Sequence, residues 1–237
     1  MEEAKLKMKA KPYRSLVGSL VYLTCGTRPD ISVVVAKLSR FLENPGRKHW
    51  DAGIKVVRYM LKTKDVGITY DGLLGTELVA YSDTDWAGNR DDLRSVSGMI
   101  LMMCGAPVMW RSTFQKTVAL SSTEAEYMAL SECAKECIWM RRLLMDIGAE
   151  QVGATVIYED NQGAMALAKN VGYQDRTKPI NIRYHFICEK VVSKEVKLEY
   201  IESKNQLTDF MTTGLSSKTL RYLMMQSNVG PKFEGSN

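Results

Sequence analysis

The spacing of apolar side chains divides the chain into a helical first quarter and a mixed remainder. In the first quarter apolar residues recur every three to four positions, which predicts helices over about 13–25, 30–43 and 47–63. Beyond Gly67 the period changes to two. This is the spacing of β-strands, because alternate side chains of a strand share one face.

The remainder of the chain predicts a sheet with helices packed on it. The predicted strands are 67–72, 77–83, 95–110 (two strands joined by a turn at 105–107), 155–159 and 196–201. The predicted helices are 122–147, 161–169, 181–193 and 205–215. In this order, consecutive strands come first and are followed by helices that alternate with strands. Such an order predicts an α/β protein with a mixed sheet.

Composition excludes several classes of protein. The 237 residues are 45% hydrophobic and 25% charged, which are ordinary globular values, and no membrane span is predicted because no apolar run approaches ~18 residues. The five cysteines form no CxxC pair, so neither a disulfide framework nor a zinc site is predicted. This cysteine usage favours a reducing compartment, and hence an intracellular location, cytoplasmic or nuclear.

The net charge of +5 is unevenly distributed along the chain. Residues 1–76 carry 14 Lys and Arg against 7 Asp and Glu, whereas the rest of the chain is slightly acidic. A basic front joined to an acidic body suits a protein that attracts a polyanion and acts on it with carboxylates. A solvated basic face is the other interpretation of the same charges.

One acidic residue continues a face that is otherwise apolar. In LVAYSDTDWAG, two-residue alternation puts Val79, Tyr81, Asp83 and Asp85 on one face of a strand. Asp83 is therefore a candidate functional acid. The alternative is that DTDWAG is only the polar turn that ends the strand.

A second acid is selected by its position on a helix. Glu124 and Glu126 lie about 200° apart on the long helix, so only one of them faces the sheet. Steps of four and eight from Glu126 reach Leu130 and Ala134, which indicates an inward stripe. Glu124 instead fits a capping box with Ser121 as the N-cap residue. Glu126 is therefore the candidate, and a buried carboxylate there calls for a compensating cation.

Two further acids lie at the starts of helices. Asp160 follows a β-branched strand, and Asp209 lies near the start of the last helix. An N-cap role for Asp160 and a helix-dipole contact for Asp209 are alternative explanations. Carboxylates at strand ends and helix starts of one sheet can converge on a point, where hard oxygen ligands favour Mg²⁺ or Mn²⁺. Two such ions would clamp the attacking water and the leaving oxygen of a phosphodiester, which is nuclease chemistry.

Several sequence strings carry a family likeness. They include YRSLVGSLVYLTCGTRPDI, LVAYSDTDWAGNRDDLRSVSG, VALSSTEAEYMAL, EDNQGAMALAKN, RTKPINIRYHFICEKV and NQLTDFMTTGL, in order from about residue 13 to 215. The chain resembles the ribonuclease H region that closes the polyprotein of copia-type LTR retrotransposons. The resemblance implies a ribonuclease H-like fold, with a five-stranded mixed sheet flanked by helices, and cleavage of the RNA strand of RNA/DNA hybrids.

The resemblance also assigns roles to residues. It makes Asp83, Glu126, Asp160 and Asp209 the catalytic acids and the ligands of two Mg²⁺ or Mn²⁺ ions. The polar neighbours proposed to contact the hybrid are Ser122, Thr123, Asn161 and Gln162. The part before Gly67 resembles the tail of a reverse transcriptase, whose polymerase domain is expected as a further partner.

The resemblance divides the chain into three parts. Residues 1–65 are a basic helical extension, 66–216 the ribonuclease H-like domain and 217–237 a C-terminal tail. The chain departs from the family pattern at Pro179 and Asn181, and near the fourth acid. These departures, and the absence of a polymerase region, motivate an alternative: a domesticated or decayed, inactive module that binds nucleic acid or protein. The intact acids favour the enzyme.

Overall fold

The computed structural model describes residues 8, 10–70, 72, 74–89, 91–169 and 186–231. Its helices are α1 (Tyr13–Gly26), α2 (Ser32–Ser39), α3 (Arg47–Lys62), α4 (Ser122–Asp146), α5 (Gln162–Lys169), α6 (186–192), α7 (Asp209–Thr212) and α8 (Ser217–Gln226). Its strands are β1 (Val66–Ile68), β2 (Val79–Asp85), β3 (Val96–Met103), β4 (Ala106–Phe114), β5 (Thr155–Glu159), β6 (Val196–Tyr200) and β7 (Val229–Pro231). None of the described helices is both long and apolar enough to cross a membrane.

Five strands form the predicted mixed sheet, in the order β4-β3-β2-β5-β6. Strands β2, β3 and β4 are antiparallel, whereas β5 runs parallel to both β2 and β6. Tyr81 of β2 is paired with Tyr158 of β5. Two residues further along both strands, this register brings Asp83 and Asp160 to the same edge of the sheet.

The sheet is buried on both faces. On one face Ala80, Leu101 and Ile157 pack against helix α4 in the largest hydrophobic cluster. On the other face Ile100 packs with Phe210 in a cluster that also holds Val79 and Tyr81. The alternation of side chains along β2 therefore assigns its odd-numbered residues to the face that α7 covers.

The predicted helical extension precedes the sheet and packs against it. Helices α1 to α3 have a small core of their own, which includes Tyr13, Val17 and Val35. Trp110 of β4 donates its indole N–H to the Thr24 carbonyl at 2.8 Å, and α2 contacts the same strand. The extension therefore covers β4, which is an edge strand of the sheet.

Most of the predicted C-terminal tail, residues 217–231, forms a helix and a strand. Helix α8 contributes Leu223 to the cluster around Phe210, and β7 pairs with β1 in a separate two-stranded ribbon. The first strand predicted from period-two spacing thus lies outside the main sheet. The division at residues 65 and 216 remains a prediction.

Two predicted helices, over 30–43 and 205–215, differ clearly in extent from the observed ones. The helix predicted over 30–43 is a 3₁₀ turn, Pro29–Ile31, followed by α2. The helix predicted over 205–215 is reduced to the four residues of α7. Part of the helix predicted over 181–193, together with Pro179 and Asn181, lies outside the described residues.

Candidate active site

Three of the four candidate acids meet at one edge of the sheet. Asp83 lies near the end of β2, Asp160 directly follows β5, and Glu126 lies in the first turns of α4. Each offers a carboxylate oxygen, and the three oxygens lie within 4.8 Å of one another. Asp83 and Glu126 are buried and Asp160 is half-buried. We call these three residues the acid cluster.

The start of helix α4 explains why Glu126, and not Glu124, faces inward. The Ser121 hydroxyl accepts a hydrogen bond from the Glu124 backbone N–H at 3.1 Å, which is the predicted N-cap. The Glu124 carboxylate turns back and accepts a hydrogen bond from the Leu120 backbone N–H at 2.8 Å. Two residues later along the helix, Glu126 points into the protein and is only 7% exposed.

Asp83 is held by a hydroxyl on the face that α7 covers. The Thr212 Oγ1 donates a hydrogen bond to Asp83 Oδ2 at 2.5 Å. Burial raises the pKa of Asp83 to about 6, with a contribution from the charge of Asp160, while the Thr212 hydrogen bond acts in the opposite direction. Loss of solvation therefore outweighs the hydrogen bonds that Asp83 accepts from the Thr212 hydroxyl and the Thr84 backbone.

The fourth candidate, Asp209, lies near the acid cluster without joining it. It is the first residue of α7 and is half-buried, and among the described residues only the other three acids offer oxygens within 4.8 Å of one another. Burial, together with the charges of Asp83 and Asp160, raises the pKa of Asp209 to about 7. Asp209 is therefore near enough to be affected by the charges of Asp83 and Asp160.

A further buried acid, Glu159, is not among the site residues predicted from the sequence. It is the last residue of β5, and its Oε1 accepts a hydrogen bond from the Asn161 backbone N–H at 3.1 Å. Burial raises the pKa of Glu159 well above its usual range. The sequence does carry a signal, because two-residue alternation in TVIYE places Glu159 on the same face as Thr155 and Ile157. The structure buries all three residues.

The acids at this edge fit a hard divalent cation. Glu126 Oε2 and Glu159 Oε2 are buried and have no hydrogen-bond partner within the part of the chain that the structure describes. Burial, followed by the charges of Glu159, Asp83 and Asp160, raises the pKa of Glu126. Such repulsion is costly without a cation, and an all-carboxylate donor set suits Mg²⁺ or Mn²⁺ rather than zinc.

The polar candidates for substrate contact flank the acid cluster. Ser122 and Gln162 are exposed first residues of α4 and α5. The Asn161 side-chain oxygen accepts a hydrogen bond from the Ala164 backbone N–H at 2.9 Å, so it caps α5. Thr123 lies so close to Gly163 that a Cβ there would be 3.0 Å from Thr123 Oγ1. The starts of α4 and α5 therefore lie side by side.

Asp85 connects the acid cluster to the helical extension. It is half-buried at the end of β2, and its Oδ2 lies 3.9 Å from Lys37 Nζ of α2. Burial raises the pKa of Asp85, while the positive charge of Lys37 lowers it. The extension thus places the positive charge of Lys37 beside Asp85, which lies two residues after Asp83 on β2.

A mixed sheet in this strand order, with acids at the adjoining ends of β2 and β5, defines a ribonuclease H-like protein, as predicted. Comparison with known proteins identifies the family. The chain is 42% identical over 210 residues to the retrovirus-related Pol polyprotein from transposon TNT 1-94 of Nicotiana tabacum, a match that covers 89% of the chain and 16% of the polyprotein. The chain belongs to the family of Pol polyproteins from copia-type transposons, as its sequence motifs indicate.

Other comparisons match smaller parts of the chain or match it less closely. The chain is 47% identical over 133 residues to the secreted RxLR effector protein 161 of Plasmopara viticola, which covers 56% of the chain and 94% of that protein. The solved structure of LC11-RNase H1, isolated from compost, aligns with a TM-score of 0.42 at 14% identity, over 63% of the chain and 99% of that structure. No model of a protein family matches the sequence.

Proposed function

We propose that the chain is a Mg²⁺-dependent ribonuclease H that hydrolyses the RNA strand of RNA/DNA hybrids during retrotransposon reverse transcription. The observation that carries the proposal is the acid cluster, in which three carboxylate oxygens lie within 4.8 Å of one another at one edge of the sheet. Membership of the Pol family supplies the biological setting. The chain spans 16% of the length of the TNT 1-94 polyprotein, so this activity is proposed for this part alone.

The residues proposed to hold two divalent ions are Asp83, Glu126, Asp160 and Asp209. When bound, such ions activate a water for in-line attack on a phosphodiester and stabilise the charge on the leaving oxygen. The chain supplies a rigid set of negative oxygens: Glu126 is fixed by α4, and Asp83 by its strand and by Thr212. Burial of these groups excludes water and strengthens their attraction for a cation.

RNA is proposed to be recognised through its 2′-hydroxyls across the wide minor groove. Ser122, Thr123, Asn161 and Gln162 are the proposed contacts, because they lie at the adjoining starts of α4 and α5, next to the acid cluster. The exposed side chains of Ser122 and Gln162 are available for such contacts. Asn161 already uses its side-chain oxygen to cap α5, so its proposed contact uses the amide nitrogen.

The basic extension is proposed to bind the phosphate backbone and the polymerase domain of the polyprotein. Its position supports the first role, because Lys37 of α2 lies beside Asp85 at the edge of the sheet that carries the acid cluster. Contacts of this kind position a duplex without selecting its sequence, and they weaken as salt is added.

The proposal is tested with a hybrid whose RNA strand is end-labelled. With Mg²⁺ or Mn²⁺ we expect cleavage of the RNA strand, and duplex DNA of the same sequence should stay intact because it lacks 2′-hydroxyls. The Asp83→Asn/Asp160→Asn double variant serves as the matched control and should not cleave. Tight binding of the hybrid without cleavage in either metal, with protein in excess over substrate, would overturn the proposal and favour an inactive binding module.

A further inference from the structure

The contact between Thr212 and Asp83 joins the last residue of α7 to the acid cluster. Thr212 is 1% exposed and Asp83 is 7% exposed, so little water competes for either group. The hydroxyl lies 2.5 Å from Asp83 Oδ2 and 3.2 Å from the Asp209 carbonyl oxygen. A hydroxyl has one proton to donate, and the shorter contact to the carboxylate is the stronger of the two.

Helix α7 is itself fixed against the sheet. The Ser112 hydroxyl of β4 donates a hydrogen bond to the Met211 carbonyl at 2.6 Å. On the other side, the Thr212 methyl group lies over Gly98 of β3, where a Cβ would be 2.6 Å from Thr212 Cγ2. A glycine is therefore required at residue 98 for this approach. Because α7 is anchored in this way, the Thr212 hydroxyl has a defined position.

We infer that Thr212 is a positioning residue for the acid cluster. Its hydroxyl restricts rotation of the Asp83 carboxylate and so keeps that carboxylate directed toward Glu126 and Asp160. The same contact ties α7, and with it Asp209, to the site. This inference rests on the proposed function, since it assigns to Thr212 the task of preorganising the carboxylates that bind metal.

The alternative role is purely structural, in which Thr212 only fills space above Gly98. Three variants separate the two roles. Thr212→Val keeps the shape and removes the donor, whereas Thr212→Ser keeps the donor and removes the methyl group. Ser227→Ala is the matched control, because it removes a buried hydroxyl that hydrogen-bonds the Leu223 and Met224 carbonyls at the end of α8 and contacts no carboxylate of the site.

The first measurement is the Mg²⁺ concentration at which the melting temperature begins to rise, with no nucleic acid present, because the stabilisation grows as ln(1 + [Mg²⁺]/Kd). Thr212→Val should need about tenfold more Mg²⁺, the loss expected for a hydrogen bond to a charged group. Thr212→Ser should stay within about threefold of the unmodified protein, since it retains the same donor. Ser227→Ala should melt at a lower temperature and yet respond to the same Mg²⁺ concentration.

The second measurement is hybrid cleavage. Thr212→Val should lower kcat about tenfold and leave KM for the hybrid nearly unchanged, because the carboxylates and not the duplex contacts are disturbed. If Thr212→Val does not fold, Thr212→Ala takes its place, since it also lacks the hydroxyl and adds no bulk. An unchanged Mg²⁺ response in the variant without a hydroxyl, or an equal loss in Thr212→Ser or Ser227→Ala, would overturn the inference.

The two proposals fail in different ways. If the unmodified protein binds Mg²⁺ but does not cut the hybrid, the proposed function fails, and the Mg²⁺ response still tests Thr212. If the unmodified protein cuts the hybrid and Thr212→Val cuts it equally well, only the role of Thr212 is rejected.

Discussion

Glu126 on helix α4 and Glu159 on strand β5 are buried carboxyl groups that repel each other, and each keeps one oxygen without a hydrogen-bond partner among the residues that the structure describes. Burial raises the pKa of both groups. The protein therefore stores an electrostatic cost at the edge of its sheet, and protons or a metal ion can relieve that cost.

Neutralising Glu159 should stabilise the metal-free protein at high pH. The folded pKa of Glu159 lies above its unfolded value, so this carboxyl costs stability as pH rises above the unfolded pKa. Glu159→Gln removes that cost and keeps an acceptor for the Asn161 N–H. Without metal, the melting temperature of Glu159→Gln should exceed that of the unmodified protein at pH 8, by roughly 2–4 °C for each kcal/mol of electrostatic cost removed. The two melting temperatures should differ little near pH 4.5.

The control for this prediction is Glu124→Gln. Glu124 is half-buried at the start of α4, and its carboxylate accepts a hydrogen bond from the Leu120 N–H. Because that carboxylate has a hydrogen-bond donor at the protein surface, its substitution should give no gain in melting temperature at pH 8. A pH-independent effect of Glu159→Gln would contradict the raised pKa of Glu159.

Mg²⁺ affinity should rise with pH between about 5.5 and 8. Burial raises the pKa of Asp83 to about 6 and that of Asp209 to about 7, so protons compete with the metal below these values. Binding should therefore release protons. Calorimetric titration at pH 6.5, in two buffers of different ionisation enthalpy, measures that release directly. Equal heats in the two buffers would show that the carboxylates are already deprotonated.

Removing a charge from the acid cluster should abolish cleavage and leave the fold intact. Asp83→Asn or Asp160→Asn keeps the side-chain volume but removes a metal ligand, so the rate on a hybrid should fall about 100-fold or more. Glu126→Gln should do the same, whereas Glu124→Gln should keep most of the activity. Single-turnover cleavage rates provide the measurement. A larger loss for Glu124→Gln than for Glu126→Gln would refute the helical-face argument.

The buried ion pair of the extension should matter for stability. Arg28 donates two hydrogen bonds to Asp30, at 2.8 and 2.7 Å, and the two side chains are 3% and 0% exposed. Asp30→Ala leaves the guanidinium buried without its carboxylate, so unfolding in urea should become easier by about 3–5 kcal/mol.

An exposed pair on helix α3 serves as the comparison. Arg47 and Asp51 lie 3.6 Å apart, with side chains 82% and 54% exposed. Asp51→Ala should cost less than about 1 kcal/mol. Equal losses in the two variants would show that burial of the Arg28 pair has no energetic consequence.

The acid cluster could be predicted because each of its members has a local signal. Period-two alternation places Asp83 on the face of Val79 and Tyr81, and helical spacing selects Glu126 over Glu124. The same period-two alternation places Glu159 on the inward face of β5, together with Thr155 and Ile157. Short-range periodicity thus suffices for residues whose burial follows from their own strand or helix.

Features that depend on distant partners could not be predicted in this way. Thr212 is 129 residues from Asp83 along the chain, and nothing local distinguishes its hydroxyl from others nearby. The partner of β1 is β7, near the other end of the described chain, so period-two spacing identified a strand but not its sheet. Helix α7 is shorter than predicted because the backbone is extended at Gln206 before it and at Thr213 after it, where Gly214 follows.

The distance of 129 residues between Thr212 and Asp83 also affects the order of folding. Hairpins such as β2-β3 and β3-β4 close short loops and form early, whereas α7 reaches the sheet only after a long loop has closed. The Thr212–Asp83 hydrogen bond should therefore form after the main folding barrier. Substitutions that remove it should speed unfolding and leave the folding rate almost unchanged.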